Sequence, residues 1–170
     1  MRLRQLAVSV LAALAATGLT AAPAQGVDTQ GHHIRNMDSH LCLVSRQGAG
    51  ERPVIQSTCD YSAGTVWEDQ YWRLIPVDED ANLWRVQNVL TRLCVVARGY
   101  EPTTVIATVC GPANGYLYAD GIWRIEYIDK WDAFRYQNYK SDLCLAVRGD
   151  QEVQAVTAPC DEQAADQHWW

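Results

Sequence analysis

"LCLVSRQGAG" at residues 41–50 returns as "LCVVARGYEP" at 93–102 and again as "LCLAVRGDQE" at 143–152. In each copy a cysteine lies between apolar residues and an arginine follows four positions later, at Arg46, Arg98 and Arg148. The leading cysteines, Cys42, Cys94 and Cys144, are 52 and 50 residues apart, and each is followed 16 or 17 residues on by Cys59, Cys110 or Cys160. The likeness extends outward in both directions. Upstream, "IRN", "VQN" and "YQN" place Asn36, Asn88 and Asn138 six residues before the leading cysteine. Downstream, Asp69-Gln70-Tyr71-Trp72, Asp120-Gly121-Ile122-Trp123 and Asp166-Gln167-His168-Trp169 share the pattern D-[QG]-x-W. The chain is therefore a threefold repeat with units of about 32–81, 82–132 and 133–170, forming one domain over 32–170.

Within a unit the segments are short, rich in Val, Ile, Leu, Tyr and Trp, and separated by Gly, Pro, Asn and Asp, the mark of strands joined by turns. No stretch after the first 24 residues sustains a helical period. Blades near 50 residues can build a propeller, but that closure needs about four of them. Four segments per unit, in the first 32–36, 41–46, 53–57 and 71–75, make twelve strands in three equivalent sets: an all-β chain with the strand count of a β-trefoil. The last unit stops at Trp169-Trp170, with no room for a further strand. Segment 32–36, which aligns with 84–88 and 134–138, is expected to pair there and remove an open sheet edge. Trp72, Trp123 and Trp169 are expected in the core, and the three asparagines as turn-formers.

Arg2 and Arg4 precede an uncharged apolar run, Leu6 to Thr20, that ends in Ala22-Pro23-Ala24, which reads as a secretory signal peptide over 1–24. A run of about 15 residues is shorter than the ~20 a membrane-spanning helix needs. The expected product is exported, extracellular and monomeric, with a short tail at 25–31 before the domain. Its formal charge moves from −6 to −8 as Arg2 and Arg4 leave, which disfavours nucleic acid and anionic membrane as partners. An oxidising compartment favours disulfides, and the repeat favours pairing inside each unit: Cys42–Cys59, Cys94–Cys110 and Cys144–Cys160. Each such loop stabilises the fold by about 3 kcal/mol in the chain-entropy model. A metal site is the competing reading, but no cysteine pair has C-x₂₋₄-C spacing and the four histidines fall at unrelated places. The His32-His33 pair reads as a solvated N-terminal feature. No metal, no cofactor and no enzymatic activity are expected, because no Ser/His/Asp, Cys/His or paired-carboxylate set recurs or clusters.

The threefold LC[LV], second Cys and [QG]-x-W over 32–170 resembles the ricin B-type lectin domain with its QxW repeats, in the form secreted by bacteria. The resemblance implies a β-trefoil with up to three shallow sugar sites. Each would be built from an Asp two positions after the first Cys, an aromatic platform just before the second Cys, and an Asn-Gln pair leading into the Trp. This chain departs from that pattern. Val44, Val96 and Ala146 hold the Asp positions, and Ser57, Thr108 and Ala158 hold the platform positions. Asp69-Gln70, Asp120-Gly121 and Asp166-Gln167 keep the last element, with the middle copy furthest from it.

Strand alternation puts Arg46, Arg98 and Arg148 on the face of the lost Asp, roughly 7 Å further along. Two readings stand for them: an ion pair with the nearby Glu51, Glu101 or Glu152 that pins the strand end, or a forked donor to the hydroxyls or carboxylate of a sugar. The loop after the second Cys carries Tyr61 and Trp67 in the first unit and Tyr116 and Tyr118 in the second, and is shorter in the third. These rings pack on their own loop or stack on a pyranose. The candidate sugar-binding set is thus Arg46, Tyr61, Trp67, Asp69, Gln70, Arg98, Tyr116, Tyr118, Asp120, Arg148, Asp166 and Gln167, with units one and two the working sites and acidic sugars favoured by the arginines. The function expected is a carbohydrate-binding module with a modified site and a glycan or glycoprotein as partner. The alternative is a β-trefoil that has lost its sugar sites and binds protein, for example as a protease inhibitor.

Overall fold

The computed structural model describes residues 31–60, 66–112 and 116–170. The expected signal peptide at 1–24, most of the tail and Tyr61 lie outside them. Twelve strands are present: β1 (His32–His33), β2 (Cys42–Val44), β3 (Arg52–Pro53), β4 (Ile55–Ser57), β5 (Tyr71–Asp78), β6 (Leu83–Asn88), β7 (Leu93–Ala97), β8 (Val105–Val109), β9 (Trp123–Ile128), β10 (Ala133–Asn138), β11 (Cys144–Ala146) and β12 (Val156–Ala158). Short 3₁₀ turns are the only helical pieces among the described residues, and none of their helices is long and apolar enough to cross a membrane. The arrangement is the β-trefoil expected from the repeat. Its strands divide differently in two places. The third strand of the first unit is split into β3 and β4 at Val54, and the last strand of the third unit shrinks to Trp169, which bridges Phe134 on one side and Asn36 on the other.

Three sets of threefold contacts hold the units together. Val54 N–H donates to Val105 O (3.1 Å), Val105 N–H to Ala155 O (2.8 Å) and Ala155 N–H to Val54 O (2.8 Å), a closed ring of fully buried residues around the pseudo-axis. That ring explains the break at Val54, whose backbone bonds across the axis instead of along a ladder. Trp72, Trp123 and Trp169 are fully buried, and their indole N–H groups reach Leu43 O (2.9 Å), Val95 O (2.9 Å) and Leu145 O (3.3 Å) of the cysteine strands. Burying an indole of this kind contributes on the order of 5 kcal/mol. Asn36, Asn88 and Asn138 form turns as expected, their Oδ1 accepting from backbone two and three residues on. Each also donates through Nδ2 to Asp166 O, Asp69 O or Asp120 O of the preceding D-[QG]-x-W turn.

The disulfides are those read from the repeat, Cys42–Cys59, Cys94–Cys110 and Cys144–Cys160, and no described cysteine is free. The ends close as expected: Arg35 and Trp170 exchange both backbone hydrogen bonds at 2.9 Å, and Met37 N–H donates to His168 O. The His32-His33 pair is not a solvated tail. It forms β1 against Tyr71–Trp72, and His33 Nε2 lies 2.8 Å from Asp60 Oδ1. The partner strand also covers the pair, with the Tyr71 ring 4.4 Å from that of His33.

Candidate sugar sites in the three repeats

Each unit brings the end of its cysteine strand, the segment before its second Cys and its D-[QG]-x-W turn to one place. Val44, Val96 and Ala146, where the family pattern has its Asp, are buried, so the polar chemistry of each site has to come from its neighbours. The three units supply it differently.

In the first unit Arg46 lies across the site. Its Nη1 donates to Asp69 Oδ2 (2.9 Å), and its Nη2 donates to Ser57 Oγ (3.2 Å) and to Glu152 Oε1 of the third unit (2.9 Å). Burial works against this charge but is outweighed by Asp69 and Glu152, which hold the guanidinium above its ordinary pKa. Ser57 and Asp69 are two of the positions from which the family pattern would grip a sugar, so the arginine occupies that space itself. Beyond it an open depression of about 880 Å³ is walled by Trp67, Leu90 and Gln151. Gln70, fully buried, donates to Thr58 O (2.8 Å) and accepts from Asp60 N–H (2.9 Å). Gln167 repeats this with Pro159 O and Asp161 N–H, both at 2.9 Å. The two glutamines fasten their loops and present nothing to a ligand.

The second unit has Gly121 in place of that glutamine, and a residue the repeat did not single out takes over. Arg85 of β6, only 1% exposed, donates to Pro112 O (3.2 Å), Tyr118 O (3.3 Å) and Leu117 O (2.7 Å). Burial pushes its pKa down, and the charge of Asp120 opposes this without reversing it. Glycines flank the guanidinium closely: a Cβ at Gly111 would stand 3.0 Å from Arg85 Cζ and from Tyr118 Cδ2, tighter than ordinary contact, and one at Gly121 would stand 3.2 Å from Val96 Cγ2. Arg98, the counterpart of Arg46, turns away from its own aspartate and forks onto Glu51 of the first unit, with Nη1 3.2 Å from Oε2 and Nη2 on Oε1; Thr108 Oγ1 donates to the same carboxylate at 3.3 Å. The space between is left open as a cleft of about 250 Å³ bounded by Val96, Arg98, Thr108, Tyr118 and Asp120. No hydrogen bond or ion pair among the described residues engages the Asp120 carboxylate. Tyr118 is 69% exposed and sits at φ 57°, a left-handed conformation that costs a non-glycine residue roughly 1–2 kcal/mol.

In the third unit Arg148 Nε donates to Asp166 Oδ2 (2.6 Å). Ala164 stands where the other units have Trp67 and Tyr118, because this loop is the shorter one, so the site has no ring. Glu51 and Glu152 thus pair with Arg98 and Arg46 of a neighbouring unit and not, as expected, with the arginine just before them, and no ion pair among the described residues engages Glu101. Tyr116 does not line the cleft itself; its hydroxyl donates to Asp78 Oδ2 (2.8 Å). Among the described residues no group of His, Cys, Asp or Glu is placed to hold a metal ion.

The comparisons agree with this fold. No curated protein matches the chain in sequence. Among solved structures, the designed threefold-symmetric protein ThreeFoil is 16% identical with a TM-score of 0.63, covering 81% of this chain and 94% of its own. A Polyporus squamosus lectin bound to a human-type influenza-binding epitope is 18% identical with a TM-score of 0.61, over 83% of this chain and 49% of the lectin. The hemolytic lectin CEL-III is 26% identical with a TM-score of 0.58, over 80% of this chain and 28% of that one. The model of the ricin-type β-trefoil lectin domain matches residues 30–169, and the chain belongs to that family of carbohydrate-binding domains.

Proposed function

We propose that this chain is an extracellular carbohydrate-binding module whose principal site is the cleft of the second unit, taking a neutral sugar. The observation that carries this reading is the Asp120 carboxylate, which, beyond its charge interaction with the buried Arg85, no hydrogen bond or ion pair among the described residues engages, beside the exposed ring of Tyr118 in the cleft. A carboxylate that accepts two hydroxyls and an aromatic face that covers C–H groups are complementary to one face of a pyranose. Arg98 donates at the rim while paired with Glu51, and Arg85 spends its N–H groups on carbonyls. Neither guanidinium is a bare cation awaiting a sugar carboxylate, which turns the preference from acidic to neutral sugars. The first unit, with Trp67 over a broader depression but Arg46 across its floor, is a secondary site. Export is supported by the three disulfides.

A glycan array followed by calorimetric titration tests this. Asp120→Asn and Tyr118→Ala are each expected to weaken binding at least tenfold, since the loss of a charged hydrogen bond costs about 1.5 to 3 kcal/mol. Asp166→Asn in the ringless third unit is expected to leave binding unchanged. Capture of a protein from culture supernatant by a chain that binds no glycan would favour the protein-binding alternative.

A further inference from the structure

Four exposed tyrosines lie on segments that flank the second-unit cleft: Tyr118 lines it, and Tyr100, Tyr116 and Tyr139 stand on the neighbouring turns. Asn138 Nδ2 donates to Asp120 O (2.9 Å) and Tyr139 N–H to Ile122 O (2.9 Å), so the turn that carries Tyr139 and Lys140 is bolted to the floor of the cleft. The Tyr139 ring lies 5.4 Å from Tyr116, which is tethered through its hydroxyl to Asp78. On the other side Lys140 Nζ sits 5.3 Å over the ring of Tyr100, two residues after Arg98. Tyr118 and Arg98 bound the cleft, and Tyr116 and Tyr100 lie two residues from them in sequence, so the string of Tyr116, Tyr139, Lys140 and Tyr100 starts and ends beside residues of the cleft wall. Neither other unit has it: Val89 and Leu90, or Met37 and Asp38, stand in place of Tyr139 and Lys140. Tyr100 is 70% exposed and Tyr116 50%, although a ring held against Tyr139 and tethered through its hydroxyl, as Tyr116 is, has little conformational freedom left to lose on binding a ligand.

We infer that this tyrosine rim is a second subsite, so that the site takes a glycan of two or more neutral rings, one in the cleft and the next against Tyr116 and Tyr139. The inference rests on the proposed cleft reading. A glycan is the occupant because the rim adjoins the cleft, presents rigid ring faces and hydroxyls without a large apolar patch, and carries one cation, Lys140, already seated on a ring.

The test is calorimetric titration of the whole chain with galactose, glucose, mannose and N-acetylglucosamine, each beside a disaccharide and a tetrasaccharide containing it, repeated with Tyr116→Ala, Tyr139→Ala and Asp120→Asn. The expected result is that an oligosaccharide binds about tenfold or more tighter than its monosaccharide, that both tyrosine variants lose this gain while keeping the monosaccharide affinity, and that Asp120→Asn weakens both ligands. Equal affinity for monosaccharide and oligosaccharide, with Asp120→Asn still weakening both, overturns the rim and leaves the cleft standing. Tyrosine variants that weaken the two ligands alike overturn the rim as well. Binding of none of these saccharides, or binding indifferent to Asp120→Asn, overturns the cleft reading and the rim with it.

Discussion

His168 shows how one position of a repeat acquires chemistry of its own. Its counterparts are Tyr71 and Ile122, yet here an imidazole is fully buried, with Nδ1 2.9 Å from Ala164 O and Nε2 without a hydrogen-bond partner among the described residues. Burial, then the charge of Arg135, lower its pKa; the bond to Ala164 and the charges of Asp166 and Glu162 act the other way without reversing the shift. In the unfolded chain this group takes up its proton near pH 6.5, and in the folded chain only at lower pH. The unfolded state therefore binds more protons in that window, and stability is full above about pH 6.5 and falls as the pH drops below it. The expected outcome is a melting temperature that declines between pH 7.5 and pH 5. In His168→Gln, which keeps a donor for Ala164 and cannot titrate, that decline should be shallower. A variant that loses stability over the same window as steeply as the parent would exonerate this histidine.

At the level of the loop, the exchange of Gln70 and Gln167 for Arg85 decides which unit keeps an open cleft. The glutamine reaches its loop from the adjacent 3₁₀ turn, whereas Arg85 reaches it from a strand 36 residues ahead of Gly121. Comparing aligned copies marks Asp120-Gly121 as the poorest of the three, since the compensating residue lies in another column of the repeat. The strands, the disulfide pairing and the buried tryptophans were legible because each recurs in register. The proposed cleft was legible only in part: Asp120, Tyr118 and Arg98 stand among the candidates of the repeat, whereas Arg85, Tyr139 and the arginine–glutamate pairs that cross between units break the register and could not be read from it. Arg85→Ala leaves three loop carbonyls without their donor and is expected to cost about 2 to 3 kcal/mol of unfolding free energy in urea denaturation. Gly121→Gln alone crowds Val96 Cγ2, 3.2 Å from the added Cβ, and is expected to destabilise as well. Combined, the two should recover part of the loss, because a glutamine then fills the room the guanidinium vacates and fastens the loop as Gln70 does. A double-mutant cycle reads this directly, and simple additivity of the two losses would show that Arg85 and the glutamine are not equivalent solutions.

Across the whole molecule the three seams between units carry the same asparagine bond but not the same covalent support. Asn88 and Asn138 lock seams that the hairpins β5–β6 and β9–β10 already span, with ladders from Trp72↔Asn88 to Asp78↔Leu83, broken only by a register shift between Pro76 and Asp78, and from Trp123↔Asn138 to Ile128↔Ala133. Asn36 locks the seam where the chain ends meet, and there the ladder is reduced to the bridges of Trp169 with Asn36 and Phe134 and the paired bonds of Arg35 with Trp170. Removing a buried amide that bonds both its turn and the neighbouring unit costs about 1 to 3 kcal/mol wherever it is done. Its local consequence should differ. At the hairpin seams the ladder holds the strands together after the amide is lost, so Asn88→Ala should show only the global loss. At the seam of the ends nothing covalent resists separation, and Asn36→Ala should let residues 166–170 detach as a unit while the other two thirds of the trefoil stay folded. Hydrogen exchange is the measurement: in Asn36→Ala the amides of Phe134, Trp169 and Trp170 are expected to exchange much faster than those of Val105 and Ala155 in the axial ring, whereas in Asn88→Ala protection should fall evenly. Even loss of protection in both variants would mean that the axial ring and the tryptophans alone keep the ends in place.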